Sequence, residues 1–162
     1  EFVGEVRSRS GSFVIGHTSA GNPMSCAVGV AVLRYVLDHG LIENAALMGE
    51  YFKEQLGELA RRHEIVGDVR GLGLLLGVEL VRDRVTKAPF PPAWRVSTRV
   101  GNATLERGLV SYPGTGTADG VAGDHLLYAP PLIITRDQVD EMVRILDESL
   151  TAVAMDLAAV RD

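Results

Sequence analysis

A polar turn that runs directly into a helix start is the most constraining feature of this chain. Gly16-His17-Thr18-Ser19-Ala20-Gly21 is followed by Asn22-Pro23 and then by Met24-Ser25-Cys26-Ala27, where a strongly apolar stretch begins. Asn22 suits the N-cap because its side-chain oxygen can accept an orphan backbone N–H, and Pro23 suits the first helical position because its missing N–H costs nothing there. Together they fix where the helix begins. Met24, Ala27, Val28, Ala31, Val32, Tyr35 and Val36 recur at helical spacing as far as Asp38, and Gly40 supplies a stop. Apolar residues also occupy much of the other face, so this helix is expected to lie buried between layers or between subunits. Read by themselves, the Thr18 and Ser19 hydroxyls beside the free N–H groups of a helix start either cap the helix or hold an anion such as phosphate. His17 reads as a structural histidine.

Downstream, helical and extended patterns alternate. Ala45, Met48, Phe52, Leu56 and Leu59 mark a second, half-exposed helix ending near residues 61–63, where basic side chains complement its dipole. Residues 65–71 and 72–80 read as extended chain, bounded by the charged stretch 81–84. A loop with Pro89, Pro91 and Pro92 leads to a helix over about 94–107, with Gly108 at its end. A short strand over 109–112 is expected to stop at Pro113, and a glycine-rich loop over 114–123 precedes a strand over 126–129 that ends at Pro130-Pro131. Thr135-Arg136-Asp137-Gln138 forms a capping box for a helix carrying Val139, Met142, Val143, Leu146, Leu150 and Val153 on one face. The pattern is α/β: two leading helices, then a small sheet covered by helices on one side.

Composition narrows the function. With 46% hydrophobic and 23% charged residues, the 162-residue chain has the make-up of an ordered globule. Its net charge of −5 opposes attraction to nucleic-acid phosphates or anionic lipid, so neither nucleic acid nor membrane is an expected partner. The longest nearly apolar run, 26–37, contains Arg34 and falls short of the roughly 20 residues that a membrane span requires. Cys26 is the only cysteine and reads as a small buried residue of the first helix; with no disulfide possible within the chain, the cytoplasm is the expected compartment. The glycines of Gly71-Leu72-Gly73-Leu74-Leu75-Leu76-Gly77 lie inside a strand pattern with the wrong spacing for a dinucleotide fingerprint. Gly114-Thr115-Gly116 lacks the Lys-Ser/Thr of a P-loop and is expected to shape the rim of a site. No metal site is expected.

Four stretches in order carry a resemblance: 16–27, the unit Val69-Arg70-Gly71-Leu72-Gly73-Leu74 completed by Gly77-Val78-Glu79, the segment 109–113, and Gly123-Asp124-His125-Leu126-Leu127-Tyr128-Ala129-Pro130-Pro131 running on to Thr135. From about Ser12 to Ala154 the chain resembles the C-terminal part of class III, fold-type-I pyridoxal-phosphate aminotransferases. That resemblance implies the end of the large cofactor-binding domain and a connecting helix over 1–40, followed over 41–162 by a small α+β domain whose mostly antiparallel sheet is covered by helices. It implies pyridoxal 5'-phosphate as cofactor and a homodimer with shared active sites, in which Thr18, with Ser19 beside it, reaches the neighbouring subunit's cofactor phosphate. The substrates it implies are an amine or ω-amino acid and a keto acid.

The family's Schiff-base lysine lies a few tens of residues before this threonine. Here only 17 residues precede Thr18, and the two lysines, Lys53 and Lys87, follow it. The chain is therefore expected to be a fragment lacking that lysine, with no catalytic residue of its own and inactive alone; its first residue, Glu1, agrees with a fragment or processed chain and equally with trimmed ends. Arg70 and Tyr112 are the candidate substrate contacts. In members acting on α-amino acids an arginine before the aromatic-Ala-Pro-Pro unit binds the substrate carboxylate, and here that position is Leu127. Members accepting amines and ω-amino acids often carry a mobile arginine farther upstream, a place that Tyr112 occupies, and neither residue can form a bidentate charged pair. A non-catalytic dimerisation or binding module, and another chemistry of the same cofactor such as an aminomutase or decarboxylase, remain as alternatives.

Overall fold

The computed structural model describes residues 2–11 and 16–159, the side chains of Phe2 and Ser10 excepted; Ser12, where the resemblance begins, lies outside them. The chain divides into two units, Glu1–His39 and Gly40–Asp162.

The first unit contains α1 (Phe2–Ser10) and α2 (Pro23–Asp38). α2 begins where Asn22-Pro23 places it, with Asn22 Oδ1 accepting the Ser25 N–H at 3.1 Å. α1 was not anticipated, since its sequence carries no strong helical stripe. None of the residues of α2 is buried, and Cys26 is exposed. Within this chain, for the described residues, α2 is therefore not buried between layers and Cys26 is not enclosed. An apolar helix surface by itself does not specify which chain covers it.

In the second unit, α3 (Leu41–Arg62) follows Gly40, and β1 (Val66–Leu72), β2 (Leu75–Leu80), α4 (Val96–Glu106), β3 (Tyr112–Thr115), β4 (Asp124–Tyr128) and α5 (Arg136–Ala159) complete the order. The four strands pair antiparallel in the order β1-β2-β4-β3. The run 72–80 is not one strand: Leu72 pairs with Leu75 across a hairpin whose first loop residue, Gly73, has φ +54, as a type II′ turn needs. The third strand also differs from expectation, because it starts at Tyr112 and contains Pro113 and Gly114 instead of stopping at the proline. β3 is an edge strand with a ladder on one side only, where alternate N–H groups face away from the sheet, so Pro113 needs no donor.

One face of the sheet is packed. Val66, Leu76, Val78, Leu80, Leu126 and Tyr128 meet Phe52, Leu56 and Leu59 of α3, Val96 and Val100 of α4, and Val139, Leu146 and Leu150 of α5 in a single core. Phe52 sets its ring edge-on to Tyr128 with centroids 5.7 Å apart. α5 starts at the capping box, where the Thr135 N–H donates to Gln138 Oε1 at 3.0 Å and the Gln138 N–H to Thr135 Oγ1 at 3.4 Å. Asp124, buried at the start of β4, accepts from the Ser97 N–H at 2.8 Å and the Ser97 hydroxyl at 2.6 Å. It therefore supplies, from a strand, the anion that the first turn of α4 prefers. The mixed α/β architecture with a small antiparallel sheet covered by helices matches the expected fold.

Candidate functional site

Within the second unit, the described helices cover one side of the sheet, and strand periodicity sends alternate side chains to the other. Register aligns these outward residues in rows. Arg70 stands opposite Gly77, Gly77 opposite Leu127, and Leu127 opposite Tyr112. The next row runs Asp68, Glu79, His125 and Gly114. The two expected substrate contacts, Arg70 and Tyr112, are thereby brought to one face and one row. They occupy its opposite ends, about 14 Å apart at three inter-strand spacings, too far to hold the same small group. Leu127 lies between them.

Electrostatics decides what Arg70 can do. Its Nη1 donates to Asp68 Oδ2 and to Glu79 Oε2, each at 2.7 Å. The hydrogen bond to Glu79, followed by that to Asp68, raises the guanidinium's pKa and keeps it charged, while placing two carboxylates against one cation. Tyr112 is 70% exposed on the edge strand. Gly77, lacking a side chain, leaves a hollow of about 330 Å³ between Arg70 and Leu127, which Leu75, Thr117 and His125 also line.

Behind this face, Tyr128 is 2% exposed and points into the core. Burial pushes its phenol above the ordinary range, while the Ser111 hydroxyl approaches and works in the opposite direction. That approach falls outside hydrogen-bond geometry, and among the described residues the phenol oxygen has no partner. Ser111 instead pairs with the Thr104 hydroxyl at 3.0 Å.

Thr18 and Ser19 belong to the first unit. They sit in a turn closed by the Ala20 N–H on His17 O at 2.9 Å and the Asn22 N–H on Ser19 O at 3.2 Å, immediately before α2. Both residues are exposed, and among the described residues neither hydroxyl has a hydrogen-bond partner. Two unengaged hydroxyls beside a 16-residue helix start fit a phosphate group. Gly114 and Thr115 belong to β3 and Gly116 follows it, so this triplet forms the end of an edge strand and not a loop cradle.

Another hollow, about 520 Å³, lies elsewhere, between residues 130–135, Gly108, Leu109 and the first turns of α5. None of Thr18, Ser19, Arg70 and Tyr112 lines it, and its lining is mostly apolar. Among the described residues there is no cluster of three potential metal ligands, and no single helix is long and apolar enough to cross a membrane.

His125 was not singled out from the sequence, where only His17 was weighed and read as structural. The alternation Asp124-in, His125-out, Leu126-in, Leu127-out would have placed it beside Leu127 on the open face.

Comparison with known proteins places this geometry in a family. The class-III aminotransferase family model matches residues 4–150. An uncharacterised aminotransferase of Schizosaccharomyces pombe is 43% identical over 135 residues, 83% of this chain and 29% of that protein. The isoleucine 2-epimerase of Lentilactobacillus buchneri is 38% identical over 136 residues, 84% of this chain and 28% of that protein. Among solved structures, a transaminase from the marine bacterium Virgibacillus superposes with a TM-score of 0.85 at 32% identity, covering 96% of this chain and 34% of that one. The chain thus spans about a third of the length of the proteins it matches.

Proposed function

The chain belongs to the class III aminotransferase family, and on that premise we propose that it forms part of a pyridoxal-phosphate enzyme moving an amino group between an amine or ω-amino acid and a keto acid. Thr18 and Ser19 donate their hydroxyls to the cofactor phosphate, with the partner subunit of a homodimer supplying the rest of that site. The observation that carries the reading is the match over residues 4–150 together with the two unengaged hydroxyls before α2. When bound, the cofactor supplies an electron sink for the charge left as a proton leaves the carbon bearing the amine.

Each residue of this chain then has a bounded role. Thr18 and Ser19 bind and orient the phosphate. The outward row from Arg70 to Tyr112 forms a wall of the substrate space, with Arg70 bracing Asp68 and Glu79 and Leu127 presenting an apolar surface. Neither lysine is assigned to the chemistry: Lys53 lies on α3, and the Lys87 ammonium donates to Gly67 O at 2.6 Å. The Schiff-base lysine is placed outside this chain, and residues 1–40 and 41–162 are assigned to the end of the large domain and to the small domain.

The test is an assay of a longer polypeptide containing this segment and of the 162-residue chain alone. The longer protein is expected to show visible cofactor absorbance and keto-acid-dependent consumption of an amine, and the 162-residue chain neither. A longer protein without cofactor absorbance contradicts the reading. The isoleucine 2-epimerase relative favours one second reading, another chemistry with the same cofactor. Turnover of an amino acid with no keto acid present would identify it.

A further inference from the structure

His125 occupies an unusual position on the open face. Its register partners are Glu79 on one side and Gly114 on the other. A Cβ at position 114 would lie 2.3 Å from His125 Cε1 and 2.4 Å from Nε2, so the imidazole lies across the β3 backbone and only glycine leaves room for it. The ring's Nδ1 is buried and, among the described residues, has no hydrogen-bond partner. A buried ring nitrogen without a partner is uncommon in folded proteins and calls for an explanation.

The ring also lines the hollow of about 330 Å³ above Gly77, with Thr117 beside it and Leu75 and Leu127 as apolar wall. The hollow's arginine, Arg70, is already held by two carboxylates at 2.7 Å each. Asp68, Arg70 and Glu79 together carry one formal negative charge, which opposes a carboxylate entering the same space.

We propose that His125 is a specificity-determining residue: its imidazole forms the polar end of a hollow that accepts an uncharged group, aryl or alkyl with one hydrogen-bonding atom, and rejects carboxylates. This rests on the assignment of the open face to the substrate space, and it states which part of a substrate that face receives. Depending on the tautomer, the ring donates to or accepts from that atom.

Two small probes of the same shape separate charge from size. The 162-residue chain, with labelled histidine and leucine side chains, is titrated with benzyl alcohol and with benzoate and followed by NMR. Benzyl alcohol is expected to shift the His125 ring and Leu127 methyl signals saturably, and benzoate to bind at least about fivefold more weakly. His125→Phe is expected to remove this preference with the remaining spectrum intact, and Gly114→Ala to displace the ring and do the same. Equal binding of the two probes, tighter binding of benzoate, or shifts confined to other leucines overturns the proposal. In a longer enzyme containing this segment, His125→Gln is expected to raise KM for an amine bearing an uncharged aryl group with kcat and cofactor absorbance unchanged; an unchanged KM also overturns it. If that longer protein binds no cofactor, the aminotransferase reading fails, and the titration alone decides the role of His125.

Discussion

His63 Nε2 meets Asp147 Oδ1 at 2.5 Å, and this contact fastens the C-terminal end of α3 to the middle of α5. The neighbouring Arg62 guanidinium donates to the other carboxylate oxygen at 2.6 Å. Arg84 completes the junction by donating to the carbonyl of Ala60, in the last turn of α3, and to that of His63, which also accepts the Val66 N–H at 3.0 Å.

This junction predicts a pH dependence. Burial favours the neutral Asp147 carboxyl, but hydrogen bonds from His63 and Arg62 outweigh it and hold the carboxyl below its ordinary value. A depressed folded-state pKa contributes stability above the unfolded value, and that stability is lost as pH falls through the folded value. Asp147→Asn should therefore cost about 1–2 kcal/mol near neutral pH and progressively less in acid. Urea unfolding at pH 7 and pH 3 measures the difference, and an equal loss at both would contradict this account.

Tyr128→Phe should be nearly neutral or stabilising. Its hydroxyl is buried without a hydrogen bond, so removing it forfeits no bond and relieves a desolvation cost, in contrast to the usual loss of about 1 kcal/mol when a hydrogen-bonding hydroxyl is deleted. Urea unfolding of the variant gives the sign.

Gly49→Ala should destabilise, although in an exposed helix interior the same change gains about 1 kcal/mol. A Cβ at Gly49 would lie 2.3 Å from the Gly73 carbonyl carbon, because α3 packs its backbone directly against the β1–β2 turn. Neither backbone can yield cheaply, and overpacking of this kind costs about 1–3 kcal/mol. The sign of the shift in unfolding midpoint decides between propensity and packing.

Much of the fold was legible in the sequence, for local physical reasons. Asn22-Pro23 and the Thr135/Gln138 box carry their own hydrogen-bond logic and start helices where they stand. Pro113 misled because the same residue that breaks a central strand is harmless on an edge, and strand order is not a local property. The rows on the open face, with Arg70, Leu127 and Tyr112 aligned and His125 one row away, depend on a pairing between segments some fifty residues apart. Exposure of α2 within this chain could not be read, since an apolar stripe does not state whether a layer of the same chain or another chain packs on it.

The Thr18 hydroxyl is proposed to donate to the cofactor phosphate. Equilibrium binding of pyridoxal 5'-phosphate to a full-length aminotransferase containing this segment, compared with its Thr18→Val variant, measures it most directly. Loss of one hydrogen bond to a charged phosphate, about 1.5–3 kcal/mol, predicts a Kd raised roughly ten- to hundredfold with secondary structure and unfolding midpoint retained. An unchanged Kd in a folded variant would contradict the account.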